Sequence, residues 1–443
     1  MKIQLSDHFT YGKLLKFTMP SIVMMIFTSI YGVVDGIFVS NFAGKTAFAA
    51  LNLIWPYVMG ISTIGFMVGS GGTALVSKTM GMGQLQKANS IFSMLTWLML
   101  ICSAVLSAIA IALMEPVARL LGAEGQMLRD SVVYGSILMI AAPAYITQFA
   151  FQSFCVTAEK SNLSLIMTVA SGICNIVLDA LFVAIFRWGL AGAAVATAIA
   201  QYVGAAIPIV YFLRPNKSLL RLGKLEFDGK ALLRTCANGS SEMVSNLSAS
   251  LVSMLYNWQL LSYAGEDGLA AYGVMMYVNL IFLAIFIGYA IGSAPLIGYN
   301  HGAQNHRELK NVTCKSLVIL GVTSVAMAVL GGLMAAPLAT IFVGYDETLK
   351  AMTTRGFVIY SLSFLLCGLN LFGSSMFTAL NNGLISALIS FLRTFVFQVA
   401  AVLLLPLVWQ LDGVWFSIVA AELAALLLTF IFFIAFRKRY HYV

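Results

Sequence analysis

The chain has 443 residues, of which 60% are hydrophobic and only 9% are charged, and its mean hydropathy is +0.92. Soluble domains carry about a quarter charged residues, so this composition excludes a water-soluble enzyme or binding module and requires lipid as the solvent. The net charge of +8 then reports membrane topology rather than nucleic-acid binding, because basic residues collect in the cytoplasmic loops of membrane proteins.

Twelve apolar stretches are each long enough to cross a bilayer, which takes about 20 residues. Numbered as helices 1 to 12, they lie at 12–39, 47–77, 91–114, 131–158, 161–186, 190–214, 233–262, 269–298, 313–336, 353–379, 384–409 and 412–436. The first stretch is too long for the core of a signal peptide, and no small-residue cleavage site follows it. We therefore expect a retained helix at this position.

The lysines and arginines divide unevenly between the two sides of these helices. Eighteen of the 25 fall at the N-terminus, in loops 2–3, 4–5 and 8–9, in the linker after helix 6, and in the tail. Six fall on the opposite side, and Arg393 lies inside helix 11. The positive-inside rule therefore predicts that the linker and both termini are cytoplasmic.

Landmark residues repeat at a spacing of 221 positions. Gly44 falls on Gly265, Gly81 on Gly302, Pro116 on Pro337 and Gly192 on Gly413. Since each half holds an even number of helices, the two halves start on the same side and are parallel repeats. We predict an all-α membrane fold with an N-lobe of residues 1–213, a cytoplasmic linker of residues 214–232 and a C-lobe of residues 233–443.

One set of polar residues occurs in the first half only. Asp35 falls on Tyr256, Asn175 on Val396, Asp179 on Ala400 and Thr197 on Ile418. A charge at membrane depth costs about 2.5–3.5 kcal/mol on insertion scales, and such residues are functional candidates by default. The structural alternative is a carboxylate that pins helices together through hydrogen bonds.

Depth supports the functional interpretation of this set. With Ser40 as the outer end of helix 1, Asp35, Asp179 and Thr197 fall in the outer half of the N-lobe, within about one turn of a common level. Asn175 lies four residues before Asp179 and therefore shares its helix face. Burial and a neighbouring carboxylate both favour the protonated form of an acid, and oxygen ligands suit hard cations. We predict a cation-coupling site for H⁺ or Na⁺ at these four residues.

The C-lobe offers weaker polar candidates. Glu242 follows three small residues early in helix 7, so it serves either as a functional acid or as a carboxylate hydrogen-bonded to nearby serines. Arg393 in helix 11 and Glu422 in helix 12 both fall near mid-depth, and we predict an ion pair between them.

Aromatic residues provide only thin clues to a substrate. Tyr31, Trp55, Tyr57 and Phe66 are candidate lining residues, since aromatic faces attract cations, although aromatic side chains in membrane helices also pack or face lipid. The six cysteines have no paired spacing, and the four histidines have no metal-ligand pattern. We expect no cofactor besides the coupling ion.

These features resemble the multidrug and toxic compound extrusion (MATE) family over essentially the whole chain. Asp35 follows a Thr18-Met19-Pro20 entry, and Asn175, Asp179 and Thr197 resemble the N-lobe cation site of the DinF-like branch. The loops at 77–89 and 298–311 also match, and the stretch 238–248 is similar to MepA-like bacterial proteins. The resemblance implies a bacterial inner-membrane antiporter that exports amphipathic, often cationic drugs against H⁺ or Na⁺ by alternating access of two lobes.

One position departs from the family pattern. Relatives with a C-lobe cation site carry an acid deeper in helix 7 than Glu242, and this chain has Ala249 at that depth. We therefore expect no cation site in the C-lobe. We expect a monomer with membrane lipids around it and no nucleic-acid partner.

Four rival functions remain open at this point. A lipid-linked sugar flippase of the related superfamily needs several intramembrane basic residues for its anionic cargo, and this chain offers mainly Arg393. A major facilitator transporter needs an acid in loop 2–3, which 77–89 lacks. A membrane enzyme needs convergent catalytic groups, and a channel needs polar residues that recur in both halves.

Overall fold

The computed structural model describes residues 3–39, 45–216 and 218–442. The described chain is helical throughout apart from loops and caps. The helices are helix 1 (Tyr11–Phe38), helix 2 (Lys45–Gly81), helix 3 (Leu85–Ala112), a short surface helix (Met114–Leu120), helix 4 (Gly125–Ile140 with Ala142–Thr157), helix 5 (Ser161–Asp179, continued by Ala180–Ile185), helix 6 (Gly189–Leu213), helices 7 and 8 (229–264 and 266–302), helix 9 (His306–Val343), helix 10 (Glu347–Ser361 with Phe364–Ala379), helix 11 (Gly383–Leu404) and helix 12 (Pro406–Tyr440).

This order confirms the predicted all-α membrane fold. Eleven of the described helices or bent helix pairs are long and apolar enough to cross a membrane, and the segment 229–264 supplies the remaining helix of the predicted order. Helices 4 and 10 bend by 54° and 45° at their breaks, positions that a hydropathy pattern does not mark. The predicted landmarks Ser40 and Gly44, together with the basic residues Lys2 and Lys217, lie outside the described residues.

Helix 7 begins earlier than the sequence predicts. The apolar stretch starts at position 233, whereas the helix starts at Gly229 because Asp228 caps it. The Asp228 carboxylate accepts hydrogen bonds from the backbone N–H groups of Lys230 and Ala231, at 3.0 and 3.1 Å. Such a cap satisfies donors that a helix start otherwise leaves free. Helices 7 and 8 are then separated by Gly265, whose φ of 61° is accessible to glycine at little cost.

The segment before helix 1, residues 3–10, is an N-terminal strap that connects both lobes. The backbone N–H of Leu5 donates to Glu159 in the N-lobe at 2.9 Å. The backbone N–H of Phe9 donates to Glu308 at the start of helix 9 at 2.9 Å, and His8 Nδ1 lies 2.7 Å from the same carboxylate. Lys315 Nζ also donates to the Phe9 carbonyl, at 2.7 Å. The strap therefore fastens the N-lobe to the third helix of the C-lobe.

The segment before helix 7, residues 219–228, is a linker strap with the reciprocal arrangement. Its Arg221 N–H donates to Asn89 Oδ1 at 2.7 Å, and its Gly223 N–H donates to Ser93 Oγ at 2.8 Å. The indole N–H of Trp97 donates to the Gly223 carbonyl at 3.0 Å. All three partners belong to helix 3. Each lobe therefore enters its first helix through a strap that is bound to the third helix of the other lobe.

Backbone close approaches join the lobes along helices 1, 2, 7 and 8. A Cβ atom at Gly81 would overlap the Tyr299 carbonyl, and a Cβ at Gly302 would overlap the Lys78 carbonyl. These two contacts are related by the 221-residue repeat. A Cβ at Gly239 would likewise overlap the Met67 carbonyl. Small residues allow membrane helices to approach this closely. Together these glycines form a seam on the side that the basic residues predict to be cytoplasmic, and we call it the cytoplasmic seam.

We predict that Gly239→Val opens the cytoplasmic seam. The valine side chain cannot fit against the Met67 backbone, so the helices must separate or strain by about 1–3 kcal/mol. Spin labels on exposed Gln86 and Arg307, in the first turns of helices 3 and 9, report the separation by pulsed electron resonance. The matched control is Gly273→Val, because a Cβ there meets no atom within 4 Å. Unchanged label distances in Gly239→Val would contradict the seam.

Candidate cation-coupling site

Helix 5 presents its polar residues on one buried face. Asn175 and Asp179 are one turn apart and are 2% and 0% exposed. The α-helix ends at Asp179, and residues 180–185 continue as a π-helix. A π-helical turn interrupts the regular i to i−4 hydrogen-bond ladder and is frequent at functional sites. The sequence thus places a carboxyl group at a break in backbone regularity, inside the N-lobe.

Asp35 on helix 1 meets Asp179 across the interior of the N-lobe. The two carboxyl groups lie within hydrogen-bonding reach of one another. Asp35 Oδ1 and both carboxyl oxygens of Asp179 are buried and receive no other hydrogen bond from the described residues. The described chain also provides no basic side chain in an ion pair with either acid. Two adjacent buried carboxyl groups without a counter-charge require a proton or a metal cation.

Helix 6 supplies the fourth predicted member of the site. Thr197 is 6% exposed, and its hydroxyl accepts a hydrogen bond of 3.2 Å from Asn175 Nδ2. The structure therefore brings Asp35, Asn175, Asp179 and Thr197 together from helices 1, 5 and 6. Only two of the four side chains carry charge, so a monovalent cation or a single proton matches the site better than a divalent metal with more acidic ligands.

Three tyrosines and a glutamine complete the surroundings of the carboxyl pair. Tyr31, on helix 1, lies one turn before Asp35, and its hydroxyl lies beside the amide of Gln201. Tyr134 and Tyr145 on helix 4 are 1% and 3% exposed and lie near both carboxyl groups. Sequence reasoning identified Tyr31 only as a lining residue and missed the other three. For Gln201 the sequence does contain a signal, because a glutamine is rarely buried in an apolar helix.

The C-lobe contains a different constellation. Arg393 Nη2 lies 2.7 Å from Glu422 Oε1, with the two side chains 11% and 2% exposed. Asn370 Nδ2 donates to Glu422 Oε2 at 2.7 Å, and Thr429 donates to Asn370 at 3.2 Å. The predicted pair is thus in direct contact. Arg393 lies on a π-helical turn at Leu392–Val396, and Glu422 lies on helix 12. Asn370 is a partner that the sequence did not indicate.

Glu242 lies near this pair without joining it. It is attracted electrostatically by Arg393, but within the described residues the two form no ion pair under 4.0 Å. Its serine neighbours do not bond its carboxylate: the Ser240 hydroxyl donates to the Ala237 carbonyl, and the Ser241 hydroxyl lies 3.3 Å from that of Thr378. Glu242 is half-buried, and its carboxylate is left for a ligand or for water.

The position equivalent to Asp35 in the C-lobe holds no acid. Tyr256 occupies it, is 4% exposed and stacks on Tyr272 with ring centroids 5.6 Å apart. The carboxyl pair of the N-lobe therefore has no counterpart here. The expectation from Ala249 that the C-lobe has no cation site stays a prediction.

The four aromatic candidates differ in their contacts within the N-lobe. Tyr31 packs at 6.0 Å from Phe27 on its own helix, and Phe66 stacks at 4.2 Å on Phe149 of helix 4. The Tyr57 hydroxyl donates to the Ala110 carbonyl of helix 3 at 3.1 Å. Trp55 is half-buried against the outer core of the N-lobe. Tyr57 and Phe66 are therefore occupied by contacts within the N-lobe.

Two parallel six-helix lobes with an asymmetric buried carboxyl pair define a multi-pass membrane transporter. The model of the MatE family matches the chain twice, at residues 20–181 and 243–404. The chain therefore belongs to the MatE family, whose members are transporters and not enzymes.

Known relatives match over nearly the full length. The chain is 24% identical over 421 residues to "Multidrug export protein MepA" of Staphylococcus saprophyticus, covering 93% of this chain and 91% of that protein. A structure described as the outward-facing conformation of a multidrug resistance MATE family transporter has a TM-score of 0.93 at 20% identity, covering 99% and 98% of the two chains. A structure of MATE in complex with MaL6 has a TM-score of 0.92 at 21% identity, covering 98% of each.

Proposed function

We propose that this protein is a multidrug efflux antiporter, which exports amphipathic, often cationic compounds in exchange for H⁺ or Na⁺. The observation that carries the proposal is the adjacent pair Asp35 and Asp179 inside the N-lobe, whose buried oxygens have no partner among the described residues besides each other. Support for the substrate class comes from the name of the MepA relative. We further propose a monomer in the bacterial inner membrane, with both termini and the linker in the cytoplasm.

Helix 1 connects the carboxyl pair to the contacts between the lobes. Asp35 lies in its outer half, while Ser21 and Ile22 in its inner half meet the backbone of Gly288 on helix 8. Near mid-helix, Ser29 Oγ donates to the Leu280 carbonyl at 3.1 Å. A cation that binds at Asp35 therefore acts on a helix that also forms part of the cytoplasmic seam.

The distribution of contacts supports the proposal that this conformation is the outward-facing state. The described close approaches between helices 1, 2, 7 and 8 run from mid-helix to the cytoplasmic ends. Ion and drug must favour different conformations for exchange to occur. In the proposed cycle, an ion enters from outside and shifts helix 1, drug leaves outward, and the ion-loaded lobes rock to the inward state. There the ion departs and drug binds.

The structure gives a further argument against the flippase alternative. An anionic pyrophosphate cargo needs uncompensated basic groups, but the Arg393 guanidinium is bound to Glu422. In contrast, Glu242 presents a half-buried carboxylate that suits a cationic compound. The charges of the C-lobe interior thus favour a cationic cargo.

Dye efflux from proteoliposomes tests the proposal. A pH gradient and a Na⁺ gradient are imposed separately, and the export of ethidium is followed by fluorescence. We expect one gradient to drive export, and that result names the ion. Absence of export under both gradients would overturn antiport of this dye class, and lipid-linked cargo would then be tested.

A further inference from the structure

A row of buried amide and hydroxyl groups continues inward from the carboxyl pair. Gln148, Gln152, Thr168 and Gln201 are each at most 2% exposed, and in the described structure the side-chain oxygen of each lacks a hydrogen-bond partner. Buried polar atoms in folded proteins are almost always paired with protein or water. Four unpaired oxygens in one lobe therefore indicate internal water.

The contacts between helices 4, 5 and 6 order these groups by depth. Gln201 lies beside Tyr31 and Tyr145, next to the carboxyl pair. One turn further inward, Gln148 on helix 4 packs so closely on helix 6 that a Cβ at Gly204 would lie 2.7 Å from its Oε1. Glycine at this position leaves room for the amide. The first half of the row thus passes between helices 4 and 6.

The second half of the row passes between helices 4 and 5. Gln152 lies one turn inward from Gln148, and its backbone carbonyl accepts a hydrogen bond of 3.0 Å from Ser164 Oγ. Thr168 lies one turn from Ser164 on helix 5. Helix 4 then ends at Thr157, whose hydroxyl donates to Thr73 at 3.1 Å. From Asp179 to Ser164 the row spans about 22 Å, at about 1.5 Å per residue.

A cytoplasmic cavity lies where the row ends. It has a volume of about 390 Å³ and is lined by residues of the N-terminal strap, helix 1 and loop 4–5, including Lys16, Glu159, Lys160 and Asn162. Ser161 also lines this cavity and lies three residues before Ser164, on the same face of helix 5. The polar row therefore leads from the carboxyl pair towards this cavity, and Ser161 is the helix 5 residue nearest its inner end.

We propose that Gln201, Gln148, Gln152 and Thr168 hold a water chain that carries protons from Asp35 and Asp179 to the cytoplasm inside the N-lobe. The route is separate from the cleft between the lobes. It rests on the proposed function, because it serves the same carboxyl pair. Amide and hydroxyl oxygens accept hydrogen bonds from water and so orient a chain along which a proton passes without a mobile charged side chain.

The test compares substitutions that exclude water with one that admits it. Gln148→Met and Gln152→Met keep the volume but remove the polar atoms, and we expect proton-driven dye efflux to fall by at least about tenfold. Gln148→Ser removes packing but leaves space and a hydroxyl for water, so it should retain most of the rate. A merely structural role predicts the opposite order. Proton release inside the vesicles is followed with a pH-sensitive dye.

The matched control is Gln259→Met in the C-lobe, a buried glutamine that donates to the Val402 carbonyl at 3.0 Å. Its efflux should stay near wild type. Dye affinity without a gradient and the melting temperature verify that each variant is folded. Full efflux in both methionine variants, with efflux lost in Asp179→Asn, would overturn the water chain alone. Efflux retained in Asp179→Asn would overturn the proposed function itself.

Discussion

Asp179→Asn is expected to abolish ion-driven efflux while leaving the fold intact. The amide neither binds a proton nor provides the charge that a metal cation needs, so the ion no longer distinguishes the two conformations. Ordinary coupling free energies of about 1–3 kcal/mol correspond to a loss of roughly 5–150-fold. The melting temperature should be unchanged or higher, because Asp179 is fully buried and its oxygens have no partner in the described chain apart from Asp35.

This combination separates a functional acid from a structural one. A carboxylate that pinned helices together would lose stability on substitution, whereas a coupling acid loses transport alone. Efflux under a pH or Na⁺ gradient and thermal unfolding are measured on the same preparations. The matched control is Glu124→Gln, an exposed acid on the side predicted to face outward, for which both quantities should match wild type. Gradient-driven efflux at the wild-type rate in Asp179→Asn would refute the assignment.

Glu422→Gln is expected to destabilise the C-lobe by about 3–5 kcal/mol, because it leaves the buried Arg393 charge uncompensated. The Arg393 side chain is only 11% exposed. Removing both charges, as Arg393→Met with Glu422→Gln, should cost much less, since replacing a whole buried pair is often nearly neutral. The free energy of unfolding of the single and double variants is compared in detergent.

A second ion pair of arginine and a carboxylate, which is more exposed, serves as the control for the buried pair. Arg355 Nη2 lies 2.5 Å from Asp412 Oδ2, with side chains 70% and 31% exposed. Asp412→Asn should change the free energy of unfolding by at most about 1 kcal/mol, as exposed pairs do. If Glu422→Gln behaved like Asp412→Asn, or if the double variant were less stable than Glu422→Gln, the buried pair would not have the proposed energetic role.

The sequence predicted the helices and the carboxyl pair because both depend on strong local signals. Long apolar stretches determine the membrane helices, and helix geometry alone places Asp35, Asp179 and Thr197 at a common level. The ion pair of Arg393 and Glu422 was predictable for the same reason. Two opposite charges at one depth in neighbouring helices attract each other strongly, because the membrane interior screens them little. The roles of these residues stay predictions, since geometry brings them together but does not measure transport.

Other features depend on contacts between distant segments, which a single sequence does not reveal. The straps mix polar and apolar residues without a distinctive pattern, and their binding to helices 3 and 9 follows only from the packing of the two lobes. Asn370 and the glutamines of the row are uncharged, so the pattern of charges within the membrane helices does not indicate them. The role of the aromatic candidates stays a prediction, because an aromatic residue in a membrane helix finds many equivalent partners, such as Phe149 for Phe66.

The reciprocal straps and the paired seam contacts have a consequence for the ancestry of the chain. Gly81 meets Tyr299 in the way that Gly302 meets Lys78, which is the rule for an isologous interface between identical subunits. Two copies of one half-length protein would satisfy both contacts, and the strap of each copy would bind the third helix of the other. The present molecule therefore has the geometry of a fused homodimer in which one subunit kept or gained the acids. Fusion would let the halves diverge, so that a symmetric frame carries the buried carboxyl pair in one half only.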